Sequence, residues 1–160
     1  MAEEITTAEY RALAELRYLI RKFVGEGDVL ARAAGLEPQQ YLLLLALRGL
    51  PEGEEATIRT LAGRLSLKHH SAVELIDRLE MHSYVRRSRS RDDRRRVLVA
   101  LLPRGEKLLE QVARERIGEL RASGAALVDA ISALLENGRP LPGKKQTGGS
   151  SKKRKESRSE

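Results

Sequence analysis

The chain contains no cysteine. Disulfides, thiolate metal ligands and thiol-based redox sensing are therefore excluded together. Aromatic residues make up only 3%, which argues against holding single strands by stacking bases on Tyr, Phe or Trp. No apolar run approaches the ~20 residues of a membrane span. The longest, Tyr41 to Leu47, reads as a short buried helix, and no membrane partner is expected. The opening MAEEITTAEY is acidic and has no apolar segment of the secretory kind, so a cytoplasmic, nucleoid-associated protein is expected. Catalytic constellations are missing too. There is no Gly-rich phosphate loop and no nucleophile elbow, and the carboxylate pairs Glu54-Glu55 and Asp92-Asp93 lie in loops beside no partner base. His69 and His70 would project about 100° apart on a helix, with His82 over three turns away, so no metal site is read from them. The chain is expected to be no enzyme and to need no cofactor.

What the chain has in surplus is positive charge. Over 160 residues the formal charge is +7 and the isoelectric point about 10.0, which suits a polyanionic partner. The charge is concentrated in two places. From Leu141 to Glu160 there are seven basic residues and two acidic ones, with no apolar periodicity, so 141–160 reads as a disordered basic tail beyond a domain at 1–140. The second concentration is VRRSRSRDDRRRVLVAL, from Val85 to Leu101. Here Arg86, Arg87, Arg89, Arg91, Arg94, Arg95 and Arg96 stand against Asp92 and Asp93 between two strand-like ends, with Asp92-Asp93 a plausible turn. Guanidinium forks match phosphate oxygens and the acceptor edges of bases, and a hairpin tip this rich in them is expected to face a partner, not its own protein. The rest of the body is net acidic, so a basic edge on an acidic body would steer the molecule toward nucleic acid in one orientation.

Helical spacing fills most of the remainder. Leu13, Leu16, Leu19, Ile20 and Phe23 predict a helix from Thr7 to about Ala34, capped by Thr6 or Thr7, with a bend near Gly25 and Gly27 and a stop at Gly35. Pro38 opens a second helix, apolar on all sides and so expected to be deeply buried. Thr57 to Leu65 and His69 to about Ser83 read as two short helices around the turn Ser66-Leu67-Lys68, a helix-turn-helix. After the hairpin, Pro103 opens another helix; Gly118 and Ser123-Gly124 suggest a break before a last apolar stripe of Leu127, Val128, Ile131, Leu134 and Leu135. The fold class is mainly α with a small β-hairpin (α+β). The first helix and the last two carry more apolar surface than this core needs, and a second copy of the chain is the expected cover.

The stretch TIRTLAGRLSLKHHSAVELIDRLEMHSYVRRSRSRDDRRRVLVALLPRGEKLL resembles the MarR family of bacterial transcription regulators. The shared elements are a helix with LAxxL, a recognition helix ending in DRLE, a VRR strand, a D-x-R wing motif at Asp93-Arg94-Arg95, and a strand entering a helix at Gly105. The resemblance extends from about Ala12 to Glu136. It implies a winged helix-turn-helix with N- and C-terminal dimerisation helices and a homodimer that places a recognition helix in each of two successive major grooves. It further implies wings in the adjacent minor grooves and, in many members, release of DNA when a small anionic or phenolic effector binds. Two departures stand out. Leu102-Pro103 replaces a common Thr cap, and Lys68-His69-His70 replaces a Ser at the start of the recognition helix, where Lys sits badly on the positive helix end unless a phosphate is near.

Residue roles follow. The recognition helix buries Ala72, Leu75, Ile76 and Leu79, leaving His70, Ser71, Val73, Glu74 and Asp77 or Arg78 on its open face. Ser71 can donate or accept, Val73 can meet a thymine methyl, and Glu74 can accept from a cytosine amine. Lys68, His69 and Arg78 suit phosphates, as do Arg94 and Arg96 beside Arg95, the candidate for the minor groove, with Asp93 orienting a neighbouring guanidinium; Arg86 joins the DNA-binding set. The expected function is a sequence-specific regulator of double-stranded DNA, a ligand-responsive repressor acting as a homodimer. The alternative is a non-specific architectural nucleoid protein.

Overall fold

A computed structural model of the chain describes residues 4–137. The tail read at 141–160 lies outside the described residues. Five helices and one hairpin follow in the order α1 (Thr7–Ala33), α2 (Pro38–Arg48), α3 (Ile58–Arg64), α4 (His69–Met81), β1 (Val85–Arg89), β2 (Val97–Leu101) and α5 (Pro103–Asn137). The architecture is that of a winged helix-turn-helix flanked by long N- and C-terminal helices.

Local chemistry sets the boundaries. Thr6 caps α1 by accepting from the Glu9 N–H, and the Glu9 carboxylate reaches back to the Thr6 N–H at 2.7 Å, so two orphan donors are satisfied reciprocally. The same contacts hold the Glu9 carboxyl below its usual range, the Thr6 backbone N–H contributing most. Gly35, at φ +85°, takes the left-handed position after α1, and the Leu36 N–H donates to the Ala31 carbonyl in the closing turn. Thr57 caps α3. Lys68, at the N-cap of α4, supplies no side-chain cap.

The core is built from Ala31, Leu36, Tyr41, Leu43 and Leu44 with Leu61, Leu75, Ile76 and Leu79, closed by Tyr84, Val85, Val99, Leu109 and Val112. It thus joins α2, the helix-turn-helix, the hairpin base and the first turns of α5. β1 and β2 pair antiparallel with Val85 opposite Leu101 and Arg89 opposite Val97. A bridge from Thr57 to Leu98, and the Val99 N–H donating to the Ala56 carbonyl, attach the segment before α3 to β2 as a stub of third strand.

Two expectations are corrected. The last two helices are one: α5 runs unbroken through Gly118 and Gly124. It packs along α1 in the most extensive pairing between helices, and that tertiary packing outweighs the roughly 1 kcal/mol by which an interior glycine weakens a helix. In α1 the helix runs on through Gly25 and Gly27. Gly27 is buried because the Arg116 guanidinium of α5 lies over it; a Cβ there would stand 3.2 Å from Arg116 Nε. Arg116 stacks on the Phe23 ring at 3.8 Å, donates to the Phe23 carbonyl at 2.6 Å and pairs with Glu119, so the buried cation has a carboxylate partner. Finally, α2 is not covered all round. Leu42 and Leu45 are exposed and, with Phe23, Val24, Ile117 and Leu120, line an apolar cavity of about 350 Å³ between α1, α2 and α5. Burial at its edge pushes the Tyr41 phenol up from its ordinary range.

At Gly105 the chain needs glycine for space. A Cβ there would collide with the Tyr84 carbonyl oxygen and stand 3.0 Å from the Tyr84 Cα. That carbonyl cannot swing away without breaking its 2.9 Å bond from the Leu102 N–H. Gly105→Ala should therefore destabilise the fold by about 1–3 kcal/mol, the usual range for overpacking. Thermal unfolding followed by circular dichroism should show the midpoint falling by several degrees; an unchanged midpoint would contradict this close approach.

Candidate nucleic-acid interface

α4 turns Ala72, Leu75, Ile76 and Leu79 into the core, as its spacing predicts. The opposite face carries Lys68, His69, His70, Glu74 and Arg78 exposed, with Ser71 and Val73 half-buried at its margins. Asp77 is exposed as well, but it is engaged by Arg87.

The hairpin loop is closed by the Ser90 N–H donating to the Arg96 carbonyl at 3.0 Å and by the Arg96 N–H donating to the Asp93 carbonyl at 2.9 Å. Asp93 organises the tip. Its carboxylate accepts from the Arg95 backbone N–H at 3.0 Å and lies 3.4 Å from Arg95 Nε and 3.8 Å from Arg96 Nε. Arg95 nevertheless keeps 93% of its side chain exposed. Arg86, Arg89, Arg91 and Arg94 are exposed too.

The guanidiniums are not all turned outward. Arg96 donates to Glu55 Oε2 at 2.7 Å, which ties the end of the wing loop to the segment before α3. Arg87 turns toward α4. Its backbone N–H donates to Glu80 Oε1 at 2.7 Å, its Nε to Glu80 Oε2 at 2.9 Å, and its guanidinium also pairs with Asp77. The Arg87 N–H is the largest of the causes that hold the Glu80 carboxyl below its usual range. The hydrogen bond to Asp77 leads those that raise the already high pKa of the Arg87 guanidinium. Sequence reasoning placed all these cations on a partner-facing tip and missed the anchoring role of Arg87. A signal was present: Asp77 and Glu80 stand one helical turn apart, on one face of the helix directly preceding the strand.

Wing and helices meet around one cleft. Its volume is about 520 Å³, and its lining includes Thr57, Ile58 and Arg59 at the start of α3, His69 at the start of α4, and Arg95, Arg96 and Val97 of the wing. The cleft thus brings together His69, Arg95 and Arg96 from the predicted set. Lys68, His70, Ser71, Val73, Glu74 and Arg78 lie on α4 or its N-cap outside that lining, and Arg86 and Arg94 are elsewhere on the hairpin. Arg59 was not among the predicted residues. His82 stacks on Tyr84 with ring centroids 5.4 Å apart, away from the other two histidines' helix start. Among the described residues, no group of His, Asp or Glu side chains could hold a metal ion, and no helix is long and apolar enough to cross a membrane.

A helix-turn-helix with an Arg-tipped hairpin beside its second helix defines the winged-helix class of DNA-binding protein. A MarR family model matches residues 34–96. An uncharacterised HTH-type transcriptional regulator of Bacillus subtilis, YsmB, is 29% identical over 121 residues, covering 76% of this chain and 81% of the relative. The structure of a MarR family protein from Bacillus stearothermophilus is similar at a TM-score of 0.64 and 26% identity, over 86% of this chain and 92% of that one. A mutant of S. aureus MepR bound to an oligodeoxyribonucleotide is similar at a TM-score of 0.59 and 21% identity, over 82% and 99%. In sequence and in fold the chain is thus similar to MarR family transcription regulators.

The pairing of Arg96 with Glu55 carries a prediction. Glu55→Gln removes a carboxylate from the cleft and releases Arg96 for a phosphate. Affinity for random duplex should rise two- to fivefold, on the scale of one exposed ion pair, and the dependence on log salt should steepen by about one per protomer. Anisotropy titrations at several salt concentrations test this; an unchanged slope would mean that Arg96 stays off the backbone.

Proposed function

We propose that the protein is a homodimeric repressor that reads a palindromic duplex and releases it in response to a small effector. The observation that carries this reading is the shared cleft, where the start of α4 and the Arg95 tip border one opening. α4 would lie in the major groove, with Ser71, Val73 and Glu74 on base edges and Lys68, His69, His70 and Arg78 at its rim and on phosphates. Arg95 would enter the adjacent minor groove, flanked by Arg86, Arg94 and Arg96 on the backbone. Such a protein acts in the cytoplasm, at the nucleoid.

The dimer is supported by two uncovered faces. On α1, Tyr10, Leu13, Ile20 and Val24 are exposed at helical spacing; on α5, Ile117, Leu120, Val128, Ile131 and Leu135 are exposed likewise. A two-fold axis lets the same patch cover itself. The effector reading is supported by the apolar cavity between α1, α2 and α5, which joins the helices of that face to the DNA-binding lobe. Its cation, Arg116, is already committed to Phe23 and Glu119. This favours an effector with a largely apolar body over a small hydrophilic anion.

Selection of bound duplexes from a random pool tests the reading. A palindromic consensus bound ~10³-fold or more tighter than random DNA is expected. A ratio near one would instead favour an architectural nucleoid protein.

A further inference from the structure

We propose that Arg87, Asp77 and Glu80 form a clamp that sets the angle between wing and recognition helix, so that Arg87 serves DNA binding without touching DNA. The inference rests on the DNA-binding reading above and assigns to Arg87 a positioning role within it. Two carboxylates of α4 receive one guanidinium of β1, and Glu80 also takes the Arg87 backbone N–H. The side chain of Arg87 is 26% exposed, against 93% for Arg95. It projects toward α4 where its neighbours Arg86 and Ser88 face solvent, as the alternation of a strand requires.

Geometry explains why such a clamp matters. The chain passes from α4 to β1 through the short turn His82–Tyr84, in which Ser83 adopts φ +57°. Val85 and Val99 seat the base of the hairpin in the core and β2 runs on into α5, so any rocking is of the outer ribbon about that base. The hairpin is a lever: at about 3.3 Å per residue, its five-residue strands and their loop carry the tip roughly 20 Å out. A rocking of only about 10° would displace Arg95 by roughly 3.5 Å over that lever, more than a hydrogen bond tolerates. The Arg87 bonds provide a further attachment, one turn back along α4, and the Val99 N–H bond to the Ala56 carbonyl restrains β2 on the other side. With both strands held, the reading helix and the wing meet the duplex as one body.

The clamp makes a prediction opposite in sign to simple electrostatics. Asp77 and Glu80 are anionic groups beside a surface that meets a polyanion, so neutralising them should tighten binding if they act only as charges. If they hold the wing, neutralising them should weaken it. The experiment is a double-mutant cycle on the selected duplex, pairing Asp77→Asn with Glu80→Gln as one change and Arg95→Ala as the other. The carboxamide pair alone should lower affinity about tenfold, inside the range for residues sharing one network. In the Arg95→Ala background the same pair should cost clearly less, about threefold or under, because the groove contact most sensitive to the wing's angle is gone and only backbone contacts of the wing remain. Arg87→Lys, which keeps the charge and loses the fork, should behave like the carboxamide pair and leave the salt slope unaltered.

Tighter or unchanged binding by the carboxamide pair would overturn the proposal. So would a loss that persists undiminished without Arg95, which is what general destabilisation would produce. Wild-type protein that fails to bind any duplex would instead overturn the DNA-binding reading itself.

Discussion

Arg95→Ala should lower affinity for the selected duplex by between roughly thirty-fold and twenty-thousand-fold. The range follows from about 1–3 kcal/mol for each lost groove contact, taken twice in a two-fold complex, at 1.4 kcal/mol per factor of ten. The effect is large because Arg95 is held ready. Asp93 fixes the turn by accepting from the Arg95 N–H, while the guanidinium itself remains open to solvent. Little folded-state structure is lost on truncation, so the protein's stability should stay within about 0.5 kcal/mol of wild type, as for other exposed positions. Two further readouts separate groove insertion from a phosphate contact. Preference for A·T pairs at the flanks should disappear with the side chain. Arg95→Lys should restore the salt slope but not that preference, because an ammonium supplies charge without the planar fork. Full affinity for Arg95→Ala at physiological salt would contradict the wing assignment.

Val128→Asp should separate the protomers. Val128 is 61% exposed on α5, in line with Ile131 and Leu135. A carboxylate there costs the isolated protomer little. Covered by a partner, it becomes a buried charge with no counter-ion, a penalty of several kcal/mol. Two-fold symmetry then imposes that penalty twice. Light scattering at micromolar concentration should report the protomer mass in place of twice that mass. Affinity for the palindrome should fall by about 10²–10⁴, the advantage that linking two binding modules ordinarily confers. A variant that stays dimeric and retains its affinity would mean that this face of α5 lies outside the interface.

The winged helix was legible because its signals are local. Thr6 with Glu9, Gly35 and Pro38 mark helix ends whose chemistry is completed within a few residues, and the structure places them accordingly. The apolar period of α4 declares its buried face, and the strand ends of the hairpin declare their pairing. What was hidden depends on contacts distant in sequence. Gly118 and Gly124 look like a break until α5 is laid along α1. Gly27 looks like a weak point until Arg116, brought from α5, occupies the space above it. The leucines of α2 look uniformly buried until the α1–α5 pair is seen to stop short of covering Leu42 and Leu45. Among the arginines of the hairpin, composition alone cannot separate Arg87, bound to its own recognition helix, from Arg95, open at the tip. Only the packing of hairpin against helix sorts them.

Hydroxyl-radical footprinting on the selected palindrome examines the joint engagement of helix and wing most directly. Two protected half-sites about one helical turn apart are predicted, each flanked by minor-groove protection that vanishes in Arg95→Ala while the half-site centres stay protected. Protection that is continuous and indifferent to sequence, or flanks that persist without Arg95, would contradict it.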